Sequence, residues 1–91
     1  MEYEFNNKFY IIEKDDENCF DYEEIKDRVT DYFLDYDYIF GDIAYNKVRL
    51  KGFNAKENKK VNKINNIENL DDYLNNYCAY GSKWFLLKKI R

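Results

Sequence analysis

Histidine is absent from this 91-residue chain, glycine occurs three times and cysteine twice. The lack of histidine removes the commonest general base and the commonest zinc ligand. The glycines at positions 41, 52 and 81 are too scattered for a dinucleotide fingerprint or a Walker phosphate loop. Cys19 and Cys78 are far apart and lack a histidine partner, which disfavours a zinc site and a thiol nucleophile. We therefore predict a binding protein rather than an enzyme, with no catalytic, metal-binding or cofactor-binding residues.

Long apolar runs are also missing. No stretch approaches the roughly 20 residues that a membrane-spanning helix needs, and the N-terminus lacks a secretory signal pattern. Two cysteines make no disulfide framework and would stay reduced in the cytosol. Aromatic residues form 20% of the chain, which argues against disorder although 36% of it is charged. We expect one cytoplasmic domain over residues 1–91, without membrane contact and with no sequence signal for its oligomeric state.

The net charge is only −3, but it is divided unevenly along the chain. Residues 1–43 contain 4 Lys and Arg against 14 Asp and Glu, whereas residues 44–91 contain 11 against 4. Two interpretations are open. Either the acidic and basic segments lie side by side and neutralise one another, or the molecule is polarised and its basic side meets an anionic partner.

The N-terminal half predicts an extended segment followed by a helix. Residues 3–13 have the composition of an extended segment, in which Asn6-Asn7 is either a tight turn or the irregular start of a strand. A helix over about 22–35 is indicated by Asp21 at the N-cap position and by apolar residues at a 3.6-residue period.

The C-terminal half predicts two strands, a loop, a helix and a last strand. Residues 36–42 and 44–53 are the strands, and the polar segment 54–66 is a mobile loop with one short strand at Val61–Ile64 as an alternative. Asn69 is the expected N-cap of the second helix, and the apolar segment 83–90 suggests a strand inside the sheet. The order β-α-β-β-α-β predicts an α+β domain with two helices on a small mixed or antiparallel sheet.

The segment from residue 45 to residue 53 has the most informative pattern. If it is extended, its side chains alternate between two faces, and Val48 and Leu50 share one of them. The other face carries three cations between two aromatic rings: Tyr45, Lys47, Arg49, Lys51 and Phe53. Such a row fits a polyanion, with cations on phosphates and a ring stacked on a base. It equally fits the solvent-exposed side of an ordinary strand.

Gly41 and Asp42 precede this row and have two interpretations. In the first, Gly41 adopts a positive φ in a turn and the Asp42 side chain caps that turn. In the second, a hairpin over residues 37–53 brings Asp42 to Arg49, as an orienting carboxylate or as a general base. The general base would make the protein an enzyme, which is the third and weakest functional class that we consider.

Two segments resemble a known family. FGDIAYNKVRLKGF at residues 40–53 and LDDYLNNYCAYGSKWFLLKK at residues 70–89 are similar in order and spacing to the YutD-like proteins of low-GC Gram-positive bacteria. The resemblance implies a small cytosolic α+β protein and carries no catalytic signature. That family often has Cys, three residues and Cys-Pro after the second helix, whereas Ser82 and Lys83 occupy the later positions here. A metal or redox role for Cys78 as part of such a pair is therefore not expected.

Two functions follow from these patterns. The first is association with RNA or a ribonucleoprotein through the basic strand face, supported by lysines in the loop 54–66. The sequence leaves open whether this loop becomes ordered only when it binds. The net negative charge counts against a tight nucleic-acid binder. The second is a protein adaptor with exposed tyrosines as anchors and an acidic helix side for steering, formed by Glu23, Glu24, Asp27 and Asp31.

Overall fold

The computed structural model describes residues 1–76 and 82–91 in full and the backbone of residue 77. Its five strands are β1 Glu2–Phe5, β2 Lys8–Asp15, β3 Tyr38–Ala44, β4 Lys47–Phe53 and β5 Lys83–Lys89. They form one sheet in the order β1-β2-β5-β3-β4, in which every neighbouring pair is antiparallel. The predicted α+β class is confirmed, and the C-terminal strand lies inside the sheet as expected. The prediction for Cys78 falls outside the described residues.

Two hairpins have the same two-residue turn. Asn6 and Asn7 join β1 to β2 with φ of 49° and 69°, so that the tight-turn alternative holds for this segment. Tyr45 and Asn46 join β3 to β4 with φ of 54° and 62°. Two consecutive positive φ values give the turn whose twist matches that of paired strands, and Asn adopts them readily.

Gly41 and Asp42 do not form a turn, which corrects the first interpretation of this pair. Both residues lie inside β3, where Gly41 is paired with Leu50 and Asp42 with Arg49. The strand continues through Gly41 because a ring takes the space above it: a Cβ on Gly41 would lie 2.2 Å from Cζ of Phe85. The glycine is needed for this close approach and not for a reversal of the chain.

Three short helices accompany the sheet: α1 Tyr22–Ile25, α2 Asp31–Leu34 and α3 Leu70–Tyr77. The predicted continuous helix over about 22–35 is wrong, because Thr30 is extended, with φ −87° and ψ 175°, and separates α1 from α2. Val29 and Thr30 are both β-branched, which lowers helix propensity at this point. Within the described chain, no helix has the length and apolar character needed to cross a membrane.

The helix starts were predicted with mixed success. Asp21 caps α1, since its Oδ1 accepts hydrogen bonds from the backbone N of Glu23 and Glu24 at 3.1 and 3.4 Å. Before α3, a 3-10 turn over Ile67–Asn69 is capped by Asn66, whose side chain accepts from the backbone N of Glu68 at 2.9 Å. Asn66 therefore takes the capping role that was predicted for Asn69.

Helices cover both faces of the sheet. On the α1–α2 face, a core of buried side chains includes Ile25, Val29, Leu34, Ile39, Phe85 and Leu87. On the α3 face, Phe40, Phe53 and Leu86 are buried against side chains of the C-terminal helix, among them Leu70, Tyr73 and Leu74. Each sheet face is thus apolar at its centre, and the sequence alternation along β3, β4 and β5 supplies both cores.

Candidate functional site

The predicted alternation of β4 is confirmed. Val48 and Leu50 pack on the α1–α2 core, whereas Phe53 belongs to the α3 core. Lys47, Arg49 and Lys51 therefore share the α3 face with Phe53. The helix that covers this face changes the environment of the row, so we describe its members in turn.

Arg49 forms an ion pair with Asp42 across the β3–β4 ladder. Its Nε lies 3.1 Å from Oδ1 and its Nη2 lies 2.5 Å from Oδ2, which makes the contact bidentate. Asp42 is 1% exposed, whereas the Arg49 side chain is 55% exposed. The carboxylate orients the guanidinium, as the second interpretation of Asp42 supposes. A carboxylate so deeply covered lies out of reach of the substrate proton that a general base must take.

Lys51 lies over two rings. Its Nζ is 5.1 Å from the centroid of the Phe53 ring and 5.5 Å from that of Tyr73, within cation–π distance. The Phe53 ring is fully buried beneath it, packed against Phe40 and Tyr73. Of the two rings predicted as alternatives for stacking on a base, Phe53 is therefore not accessible, because α3 packs on this end of the strand.

Tyr45 and Lys47 lie at the other end of the row. Tyr45 is at the tip of the hairpin turn and is 88% exposed, and Lys47 is also exposed. The structure thus separates the predicted row into an open end, a central Arg49 held by Asp42, and an end where Lys51 lies over aromatic rings. It does not bring three unpaired cations together beside an accessible ring.

The loop 54–66 is held together by asparagine side chains and closed at its base. The backbone N of Asn54 donates to O of Asn65 at 2.6 Å, and Asn54 forms a parallel bridge with Asn66. Asp37 anchors the loop to the start of β3, because its Oδ2 accepts from the backbone N of Ala55 at 2.9 Å and from Nδ2 of Asn58 at 3.0 Å. The alternative strand at residues 61–64 is absent, and turns occupy this stretch of the described chain.

Sequence reasoning missed this network and the role of Tyr73. The signal for the network was available, since five of the thirteen loop residues are asparagine, a residue that bonds to nearby backbone in turns. Tyr73 packs on Phe40 and Phe53, and a helical apolar period does not say which strand residues a helix meets.

Residues 15–35 form an acidic layer over the α1–α2 face, with nine Asp and Glu against Lys26 and Arg28. Some of its carboxylates have close partners: Glu23 pairs with Lys26 at 2.6 Å, and Asp31 accepts from Nδ2 of Asn6 at 2.7 Å. Within the described chain, three ion pairs join the acidic half of the sequence to the basic half. Direct neutralisation is therefore limited.

An aromatic cluster stands at the edge of the acidic layer. The Tyr32 ring is 65% exposed, and its centroid lies 5.1 Å from that of Phe33 and 5.6 Å from that of Tyr36. The hydroxyl groups of Tyr32 and Tyr36 are 3.1 Å apart, and this hydrogen bond, together with burial, raises the pKa of Tyr36. Both rings and Asp35 line a cleft of about 280 Å³ against the loop 54–66. We call Tyr32, Tyr36 and Asp35 the acidic–tyrosine surface.

The Cys19 thiol lies where its thiolate form is disfavoured. Burial and the neighbouring Asp15 raise the pKa of the Cys19 thiol to about 11. Within residues 1–77 and 82–91, no three His, Cys, Asp or Glu side chains are grouped to hold a metal ion.

Comparisons with known proteins agree on one family. The family model described as "Putative antitoxin YutD-like" matches residues 4–88. The chain is 43% identical over 72 residues to "Putative antitoxin YutD" of Bacillus subtilis strain 168, and the match covers 79% of each protein. The solution NMR structure of protein yutD from B. subtilis is similar with a TM-score of 0.80 and 35% identity, over 100% of this chain and 83% of that one. The chain belongs to the YutD-like family.

Proposed function

We propose that this protein is a protein-binding domain that receives a basic partner on its acidic–tyrosine surface. The observation that carries the proposal is the exposed Tyr32 ring, held by Phe33 and Tyr36 at a cleft that Asp35 also lines. Asp35, like Asp27 of the acidic layer, is exposed and has no ion-pair partner in the described chain. This is the adaptor function predicted from the sequence, now with a specific anchor.

The geometry suits recognition of an arginine-rich or lysine-rich segment. Tyrosine and arginine are enriched among the residues that dominate binding energy, and a ring already fixed by two neighbours loses little freedom when it is covered. A guanidinium over the Tyr32 face would gain a cation–π contact and could pair with Asp35 in the same cleft. The remaining carboxylates of the acidic layer would steer a basic partner toward this side.

The names of the relatives agree with a partner-directed role. Both the family description and the B. subtilis relative carry the words "Putative antitoxin", and an antitoxin is defined by its action against a toxin. For this chain we take that wording as support for binding of a second macromolecule, and we propose that this partner is a basic protein.

RNA association is the second candidate, and one observation favours it. The four lysines of the loop 54–66 are exposed, at positions 56, 59, 60 and 63, on a loop that hydrogen bonds hold in shape. Within the originally predicted row, Tyr45 and Lys47 are the members that stand open to a nucleic acid. Nuclease sensitivity separates this candidate from the first.

Affinity capture from an extract of the source organism, treated with RNase and DNase, tests the proposal. The tagged chain should retain a basic protein after nuclease treatment. Tyr32→Ala should weaken that complex at least about tenfold, because loss of an anchoring ring costs about 2 kcal/mol. The double variant Asp27→Asn/Asp35→Asn should weaken it several-fold and reduce its dependence on salt.

Matched controls make the result specific. Tyr45→Ala removes an exposed tyrosine from the turn between β3 and β4, away from the proposed surface. Glu13→Gln/Glu57→Gln removes two exposed carboxylates that do not belong to that surface. Both should bind like the unmodified chain. If the captured partner is lost after nuclease treatment and also in the Tyr45→Ala variant, the chain binds RNA and the protein-binding proposal is wrong. Equal losses for the two tyrosine variants would contradict an anchoring role for Tyr32.

A further inference from the structure

We propose a second binding site, independent of the acidic–tyrosine surface, in the groove between β4, the loop 54–66 and α3, and we assign it to a nucleotide. The groove has a volume of about 540 Å³, in the range of sites that bind small molecules. It lies on the α3 face of the sheet, whereas the acidic layer covers the other face.

Two cations line the groove, Lys51 from β4 and Lys63 from the loop. Lys51 is held by the rings of Phe53 and Tyr73, and neither Lys51 nor Lys63 forms an ion pair within the described chain. A lysine placed over rings is restrained before any ligand arrives, so less side-chain entropy is lost when it meets a phosphate. Each lysine offers a charge-assisted hydrogen bond to a phosphate oxygen in the groove.

The walls are connected to each other. Asn69 donates from Nδ2 to the backbone O of Lys63 at 3.1 Å, which fastens the loop to the start of the helix beside the groove. Ile64 follows at the rim and is 75% exposed, an unusual position for a large apolar side chain. With Tyr73 on the opposite wall, Ile64 offers an apolar contact for a planar ring.

The helix side of the groove supplies groups that read a polar ring edge. Asp72 and Asn76 are four residues apart and line the groove together. The Asn76 amide can donate and accept, and the Asp72 carboxylate can accept from an amino group or a ribose hydroxyl. Because Asp72 would repel a phosphate, we assign the phosphate to the lysines of β4 and the loop, and the base or sugar to Asp72 and Asn76 of α3. A nucleotide has this order of groups, and inorganic phosphate has only half of it.

Titration of the full chain with the four common nucleoside 5′-monophosphates and with inorganic phosphate tests the site by ¹⁵N NMR. At least one nucleotide should bind more tightly than phosphate and should shift the Asn69 and Asn76 side-chain amides and the Ile64 amide. Lys63→Gln and Lys51→Gln should each weaken that binding about tenfold, since each removes a charge-assisted contact. Lys59→Gln changes the same charge on the same loop outside the groove and should bind normally.

A short oligoribonucleotide with a 5′-phosphate distinguishes the source of the ligand. Tighter binding than the free nucleotide, with the same shifts and the same loss in Lys63→Gln, places the end of an RNA chain in the groove. Nucleotides that bind no better than inorganic phosphate would overturn the proposal, and so would an equal effect of Lys59→Gln and Lys63→Gln. Neither outcome depends on Tyr32 or the carboxylates of the acidic layer, so failure here leaves the proposed function standing.

Discussion

The acidic layer and the basic strand β4 lie on different faces of the sheet, and they differ in how their charges are engaged. The acidic layer presents exposed carboxylates on two short helices and in the turns that follow them, where Asp27 and Asp35 have no ion-pair partner in the described chain. The basic strand β4 runs beneath a helix, where Arg49 is tied to a buried carboxylate and Lys51 lies over two rings. The acidic face is therefore available for association, and the centre of the basic face contributes to stability.

The difference follows from the periods of the two structures. A helix one turn long buries one residue in three or four and leaves its other side chains in solvent. In a sheet with helices on both faces, neither side of a strand is solvent-exposed along its whole length, because each face is covered wherever a helix packs on it. A count of charged residues along the chain does not separate exposed charges from charges that are paired or covered by a helix.

The largest effect in this comparison should come from the ion pair of the basic face. Arg49→Met is expected to lower the free energy of unfolding by about 2–3 kcal/mol, because it takes the charged partner from the 1%-exposed Asp42 carboxylate. Lys47→Met, two residues earlier on the same side of β4, should change it by less than about 0.5 kcal/mol. Urea denaturation measures both. If both variants lowered the free energy of unfolding by similar amounts, the Arg49–Asp42 ion pair would not be a special source of stability in β4.

A smaller loss of stability is expected at the anchor of the loop 54–66. Asp37→Ala removes the acceptor for the backbone N of Ala55 and for the Asn58 amide, and should lower the free energy of unfolding by about 1–2 kcal/mol. Amide hydrogen exchange should increase in the loop more than in the sheet. Asp35→Asn, two residues away and without such bonds, is the control. Unchanged exchange in the loop would show that Asp37 does not hold it.

The acidic layer should respond least in stability. Asp27→Asn/Asp35→Asn is expected to change the free energy of unfolding by no more than about 0.5 kcal/mol, since both carboxylates are exposed and unpaired within the described chain. Thermal and urea unfolding at low and high salt would measure it. A loss near that of Arg49→Met would mean that these carboxylates stabilise the fold and are not reserved for a partner.

The pH dependence of Cys19 provides a finer probe of the same layer. Its folded pKa of about 11 lies above the ordinary value of 9.0, so the unfolded chain loses the thiol proton first as pH rises. The contribution of Cys19 to stability is therefore present below pH 9 and is lost as pH rises toward 11. In a Cys78→Ser background, the rate of alkylation by iodoacetamide should rise to half its maximum near pH 11 in the folded chain. A midpoint near pH 9 would contradict the role of burial and Asp15.

Sequence reasoning found the α+β class, the Asp21 cap and the alternation of β4, because each depends on local pattern, whereas it left the sheet as either mixed or antiparallel. It did not find the break at Thr30, since the apolar period continues across it and both helices use the same stripe. It placed Gly41 in a turn, because a glycine needed for the approach of the Phe85 ring looks the same as one needed for a positive φ. Burial of Phe53 depends on where α3 docks, and no local pattern specifies docking.

Hydrogen–deuterium exchange on the captured complex tests the central assignment most directly. If a basic protein partner binds the acidic–tyrosine surface, complex formation should slow amide exchange in residues 22–36. Exchange in residues 45–53 should stay unchanged. Protection concentrated in residues 45–53, with exchange over residues 22–36 unaltered, would contradict the account and return the interaction to the basic strand.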